Sequence, residues 1–269
     1  MGPAKINTGG GHLVWKLTQY LKAGHFSLVS DETPPTITNK IPHNIPKKII
    51  MFWHDKNPPH DVQVSIEKIK QNNVGYQTIL FDAEMARDYI YDHYGATLCN
   101  LYDRRCIHKA MQADFFRICY LLGEGGIYTD IDIDCHASLD NICNFQDFGC
   151  FLLYTFGSPS CIDNDFIVCE PNSPIILSVL NQIQVHLTTP QRFTNVWEYT
   201  GPAAVTIGTM RLLFEQIAYH GNIEYFKKHL KIGERFLTAR AFHGATFEYK
   251  NTSEGNWKKY RLPSKLYEL

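Results

Sequence analysis

The sequence predicts an α/β fold, a mostly parallel sheet flanked by helices in a single domain. Three observations predict it. A continuous apolar run of strand length covers Ile49 to Trp53, strand-like and helix-like periods then alternate through Tyr94, and a helix runs through a glycine turn into a strand between Lys109 and Asp134. Alternation of this kind buries a parallel sheet between helices and leaves ligands at the carboxyl ends of its strands.

Residues 1–44 read as an N-terminal extension, with Gly9 to Gly11 followed by a short amphipathic stretch carrying Val14, Leu17 and Leu21 on one face, and then Pro34-Pro35. Trp15 beside Lys16 and Lys22 suits a peripheral membrane contact; a helix packed on the domain is the competing reading. From residue 45 to 269 the chain reads as one domain. Its first strand, Ile49 to Trp53, exits into His54-Asp55 and the breaker Pro58-Pro59. Ser65 to Asn72 predicts a helix, Tyr76 to Phe81 a second strand, and Asp82 to Tyr94 another helix with Asp82 as its N-cap.

Composition sets the outer bounds. The 269 residues hold 26 Lys+Arg against 27 Asp+Glu, with 44% hydrophobic residues, which excludes disordered and collagen-like classes. A net charge of −1 gives no whole-protein field for nucleic acid, so no nucleic-acid partner is expected. From Asn222 onward ten Lys/Arg stand against five Asp/Glu, a basic tail that could meet phosphates or simply form a solvated face. The eight cysteines form no C-x-x-C pair, so buried free thiols are expected rather than a zinc ribbon or redox dithiol. No apolar run approaches eighteen residues and no signal-peptide core is visible, so a cytoplasmic chain is expected.

The stretch from Lys109 to Asp134 carries the chemistry. Asp114 and Arg117 are three apart on the predicted helix and share a face. Gly123, Gly125 and Gly126 end it. Strand alternation then puts Ile127, Thr129, Ile131 and Ile133 on one side and Tyr128, Asp130, Asp132 and Asp134 on the other. Carboxylates this close raise one another's pKa or recruit a cation, and a hard divalent ion with oxygen ligands is the natural partner. A bare Asp-x-Asp is weak evidence, since fifteen Asp in 269 residues give roughly one by chance. Its position is the stronger argument: after an apolar strand, just past Gly-Gly, and sixteen residues beyond Asp114. An EF-hand loop from Asp130 fails, because Cys135 and Asn141 stand where Gly and Glu are required. A haloacid dehalogenase-like phosphatase also uses Asp-x-Asp after a strand and stays as the runner-up reading, although there the strand opens the domain, whereas here about 130 residues precede it.

These residues resemble glycosyltransferase family 32, the family with a DXD sugar-binding region, related to the glucosyltransferase domains of large clostridial toxins. The likeness rests on Ile45 to Trp53 as the opening strand and on Ala113 to Arg117 and Gly125 to Asp132 as the core, and it spans about residues 45 to 260. It implies a GT-A fold with a Rossmann-like sheet and a retaining, metal-dependent transferase that uses Mn2+ or Mg2+. The donor would be a nucleotide sugar, UDP-sugar favoured, and the acceptor a saccharide or glycolipid; a toxin-like protein acceptor is the alternative.

Residue by residue, the resemblance implies that Trp53 stacks on the base, unless it is a core tryptophan. Asp114 and Arg117 would grip sugar hydroxyls and diphosphate, or else form a helix-capping salt bridge. Asp130 would contact ribose or sugar and lie beside the metal, and Asp132 would ligate it. Asp134 lies outside the motif. Asn164 and Asp165 would sit near the donor sugar or cap a loop, and Thr200-Gly201-Pro202 resembles the family's Gly-Pro helix start. His243 would be a third metal or diphosphate ligand, or a structural histidine. Trp257 would line the substrate site, although Asn256 replaces the family's Ser and one His of the usual pair is missing.

Overall fold

A computed structural model describes residues 43–156, 160–190, 193–220, 224–244, 246–252, 255–260, 262–263 and 266. The amphipathic stretch around Val14, Leu17 and Leu21 lies outside the described residues.

The first strand, β1 (Lys48–Phe52), is apolar on both sides because it is buried on both sides. Ile50 and Phe52 pack into one core cluster and Ile49 and Met51 into the other. Each such side chain contributes about 1.5–3 kcal/mol of burial. Helix α1 (His60–Asn72) starts five residues before the predicted onset, and β2 (Gln77–Phe81) follows. Asp82 caps α2 (Ala83–Arg105) by accepting from the Met85 amide. That helix runs well past the predicted end at Tyr94, because the backbone leaves helical geometry at Gly95 (φ 76°) and then resumes.

Helix α3 (Lys109–Glu124) and strand β3 (Gly126–Thr129) are joined by Gly125 and Gly126, both at positive φ. A Cβ on Gly125 would lie 2.7 Å from the Pro171 nitrogen and 2.8 Å from the Cys169 carbonyl, so only glycine fits this return. Gly123, by contrast, remains inside the helix.

The predicted strand to Asp134 is in fact two. After β3 the chain bends, and β4 (Ile133–Cys135) pairs instead with β8 (Phe242–Gly244) in a separate two-stranded sheet. Ser65 of α1 explains the bend: its Oγ lies 2.6 Å from the carbonyl oxygens of both Ile131 and Ile133 and donates between them. Alternation therefore stops at the bend, and Asp134 turns to Lys68 on α1.

Strands β5 (Cys150–Thr155), β6 (Cys161–Cys169) and β7 (Leu230–Glu234) complete the main sheet, ordered β2-β1-β3-β6-β5-β7. Only β6 runs against the others. Helices α3, α4 (Pro174–Thr188), α5 (Val196–Tyr199) and α6 (Pro202–His220) contribute to the core cluster on one face. Helix α1 and short 3-10 turns contribute to the other. Helix α7 (Glu224–His229) leads into β7. No helix among the described residues is long and apolar enough to cross a membrane. All eight cysteines are free, and seven are buried.

Candidate active site

The carboxyl ends of the parallel strands open onto a cavity of about 670 Å3. Its lining brings together Asp114 and Arg117 from α3, Asp130 and Asp132 beyond β3, Asn164 and Asp165 from β6, and Trp257 from the C-terminal segment. Those seven residues are all sequence-predicted. Trp53 and His243 are not among the lining residues.

Arg117 is the centre of the buried part. It is 3% exposed; its Nε donates to the Ala113 carbonyl, one terminal nitrogen to the Asn164 carbonyl, and the other lies 3.1 Å from Asp114 and 3.2 Å from Asp130. Its guanidinium stacks over Tyr128 at 4.2 Å. Burial opposes the charge, but Asp130, Tyr128 and Asp114 more than compensate and raise its pKa. The guanidinium thus organises the wall with donors already committed to protein acceptors.

Asp114 is satisfied in the same way, accepting from Asn164 Nδ2 and Thr200 Oγ1, each at 2.8 Å. Burial pushes its pKa up to about 6, against the opposing pull of Arg117, Thr200 and Asn164. The reading as a structural salt bridge and the reading as a site pair therefore meet in one arrangement. Asp130 has about a third of its side chain exposed and accepts from the Tyr128 hydroxyl at 3.2 Å. Burial raises its pKa, with Arg117 pulling the other way.

Asp132 faces a residue that the sequence did not single out: Lys250, from the 3-10 turn Glu248–Asn251, donates to its carboxylate. Arg235, just past β7, was missed as well; it bonds Asp165 and lies 3.3 Å from Asp163. Thr200 was noticed only as part of a motif. These partners are far away in sequence, and the basic C-terminal tail was the one signal pointing to them.

Strand β6 can serve both walls because it bulges. The five steps from Ile162 to Ile167 oppose only the two from Leu152 to Tyr154 on β5, so Asp163, Asn164 and Asp165 are extruded from the ladder. Asn164 turns to Asp114 while Asp163 and Asp165 turn to Arg235.

His243 sits between Phe242 and Gly244, which both line the cavity, so strand alternation turns its ring away. It is exposed, stacks on His136 at 4.5 Å and lies opposite Asp134 in register. It therefore does not join Asp130 and Asp132. Trp53 is buried in the second core cluster, with Tyr249 edge-on at 4.9 Å. Its Nε1 has no hydrogen-bond partner among the described residues.

Comparison with known proteins agrees with this chemistry. Residues 59–149 match the family described as the glycosyltransferase sugar-binding region containing the DXD motif. Mannosyl phosphorylinositol ceramide synthase of Saccharomyces cerevisiae is 28% identical over 143 residues, 53% of this chain and 36% of that protein. Subversion of eukaryotic traffic protein A of Legionella pneumophila is 26% identical over 58% of this chain and 26% of its own. An uncharacterized glycosyltransferase of Acanthamoeba polyphaga mimivirus is 25% identical over 56% of this chain and 60% of its own. The chain thus spans less than two thirds of each of these relatives. Among solved structures, the PaToxG glycosyltransferase overlays with a TM-score of 0.49 at 18% identity, covering 81% of this chain and 82% of that one. Residues 59–149, which hold Asp114, Arg117, Asp130 and Asp132, are thus similar to the glycosyltransferase sugar-binding region that contains the DXD motif.

Proposed function

We propose that the chain transfers a hexose, with retention, from a nucleotide sugar to a saccharide or glycoconjugate acceptor in a divalent-cation-dependent reaction, with a UDP-sugar as the favoured donor. The observation that carries this reading is the cavity itself. Asp130 and Asp132 line it beside a prearranged Asp114–Arg117–Asn164 wall at the carboxyl edge of the sheet. The name of the yeast relative describes a glycolipid product, which supports including glycolipids among the acceptors to be tried.

The donor set suits a hard cation. Asp132 already holds the ammonium of Lys250, so its carboxylate accepts positive charge at the cavity wall. Asp132 would hold the ion and Asp130 would flank it, an oxygen set suited to Mn2+ or Mg2+. When bound, such an ion supplies charge stabilisation to a leaving diphosphate.

The protein's own residues do the rest. Lys250 and Lys258 line the cavity and would meet the diphosphate oxygens as negative charge develops on them. Asp163 and Asp165 are engaged by Arg235, and Asp114 by Arg117, Thr200 and Asn164, so no lining carboxylate is set aside as a nucleophile. The account is a front-face substitution. The acceptor oxygen bonds the anomeric carbon, the bond to the phosphate oxygen breaks with its electron pair on the diphosphate, and the acceptor's proton passes to that oxygen. Nuclear magnetic resonance of the first-formed product should show the donor's anomeric configuration, and mass spectrometry should show no glycosyl-enzyme. Inverted product or a trapped covalent adduct would overturn the mechanism.

A further inference from the structure

At the end of the sheet opposite the cavity, three side chains from distant parts of the chain converge. His43 precedes β1, Glu170 follows β6 and His229 closes α7; one ligand atom from each lies within 4.8 Å of the others. His43 is buried, and its ring meets that of His229 edge-on at 5.0 Å.

The hydrogen bonding of His43 fixes its chemistry. Its Nε2 lies 3.3 Å from the Lys228 carbonyl oxygen, which can only accept, and the tautomer protonated on Nε2 donates to it. In the neutral ring Nδ1 then presents its lone pair to Glu170 Oε2, 3.2 Å away. Two lone pairs at that distance are reconciled by a proton or by a metal ion between them. A ligating histidine that donates its other nitrogen to a backbone carbonyl is the arrangement that orients metal ligands.

Two further features favour the metal. Bonds of about 2.0–2.1 Å in a tetrahedral site hold ligand atoms about 3.4 Å apart, close to the 3.2 Å between His43 and Glu170, while the full set of three ligand atoms lies within 4.8 Å. Gly149 also leaves room for the pair: a Cβ there would fall 2.8 Å from Glu170 Oε1 and 3.2 Å from the His43 ring.

We propose that His43, Glu170 and His229 form a zinc-class metal site with three protein ligands. It ties the segment leading into β1 to the β6 exit and the α7–β7 corner. Nitrogen and carboxylate donors in this ratio suit Zn2+ better than Mg2+ or Ca2+. The site is independent of the glycosyl-transfer reading, because none of its residues lines the cavity.

The test is a competition titration of Zn2+ against a chromogenic chelator, using the full chain with Asp132→Ala to remove the cavity's own carboxylate. One equivalent of Zn2+ should bind, and adding Glu170→Gln should weaken it at least tenfold. Zn2+ should also raise the melting temperature of the parent and not that of the Glu170→Gln variant. If Glu170→Gln fails to fold, His229→Gln carries the same comparison. Zn2+ binding unchanged by these substitutions, or absent from the parent, would overturn the site and leave His43 and Glu170 as a hydrogen-bonded pair.

Discussion

Lys250 donates to Asp132 across the cavity, joining a C-terminal 3-10 turn to the second carboxylate of the Asp-x-Asp pair from 118 residues away. The ammonium occupies the carboxylate to which the proposed cation would bind. On the proposed reading, lysine and metal would compete for one oxygen donor before substrate arrives and would act together on the diphosphate afterwards.

That competition has a measurable consequence. Lys250→Met should tighten Mn2+ binding to the donor-free protein by up to about fivefold, reflecting the ~1 kcal/mol of a partly exposed ion pair. The same substitution should slow donor cleavage. Calorimetry of Mn2+ binding reads the first effect, and unchanged affinity would show that the pair does not guard Asp132.

Asp114 sets an acid limit. Its pKa near 6 means that the carboxylate is charged above that pH and protonated below it. Only the charged form balances Arg117 while accepting from both Asn164 and Thr200. The rate should therefore fall as pH drops through about 6, and Asp114→Asn should lower the plateau and abolish that limb. A limb that persists unchanged in the variant would assign it to another group.

Arg117 is held between Asp114 and Asp130 and is almost wholly buried. Arg117→Met should cost about 3–5 kcal/mol, because it leaves buried carboxylates without their counter-charge. Adding Asp114→Asn to that variant should restore part of the loss, since residues in one network are not additive. Urea denaturation measures both, and strict additivity would contradict the network.

Trp53 separates packing from base recognition. Trp53→Ala should destabilise the fold by about 3–5 kcal/mol as a buried aromatic. Trp53→Phe should be much milder, since the indole nitrogen has no partner to lose among the described residues. A large rise in donor KM for Trp53→Phe with unchanged stability would instead restore a direct role in stacking on the base.

Local pattern made part of this protein readable. The doubly buried β1, the Asp82 cap and the glycine return from α3 to β3 are short-range features, and each shows in a few consecutive residues. Asp114, Arg117, Asp130 and Asp132 follow from them. The rest depends on contacts that leave no local period. Ser65 ends the strand after Thr129 from 66 residues away, which removes Asp134 from the expected row of carboxylates. The β6 bulge and the partners Arg235 and Lys250 arise from sheet register and from the returning C-terminal segment. His243 shows the same limit, because one step of strand alternation decides whether a ring faces the cavity or solvent.

The central claim is tested most directly by nucleotide release from a panel of UDP- and GDP-sugars, with Mn2+ and with chelator, comparing the wild type with Asp132→Ala. Slow hydrolysis of one donor, lost in chelator and in the variant, is the predicted result and would identify the sugar. No release from any donor, with phosphate freed instead from a phosphomonoester, would contradict the account.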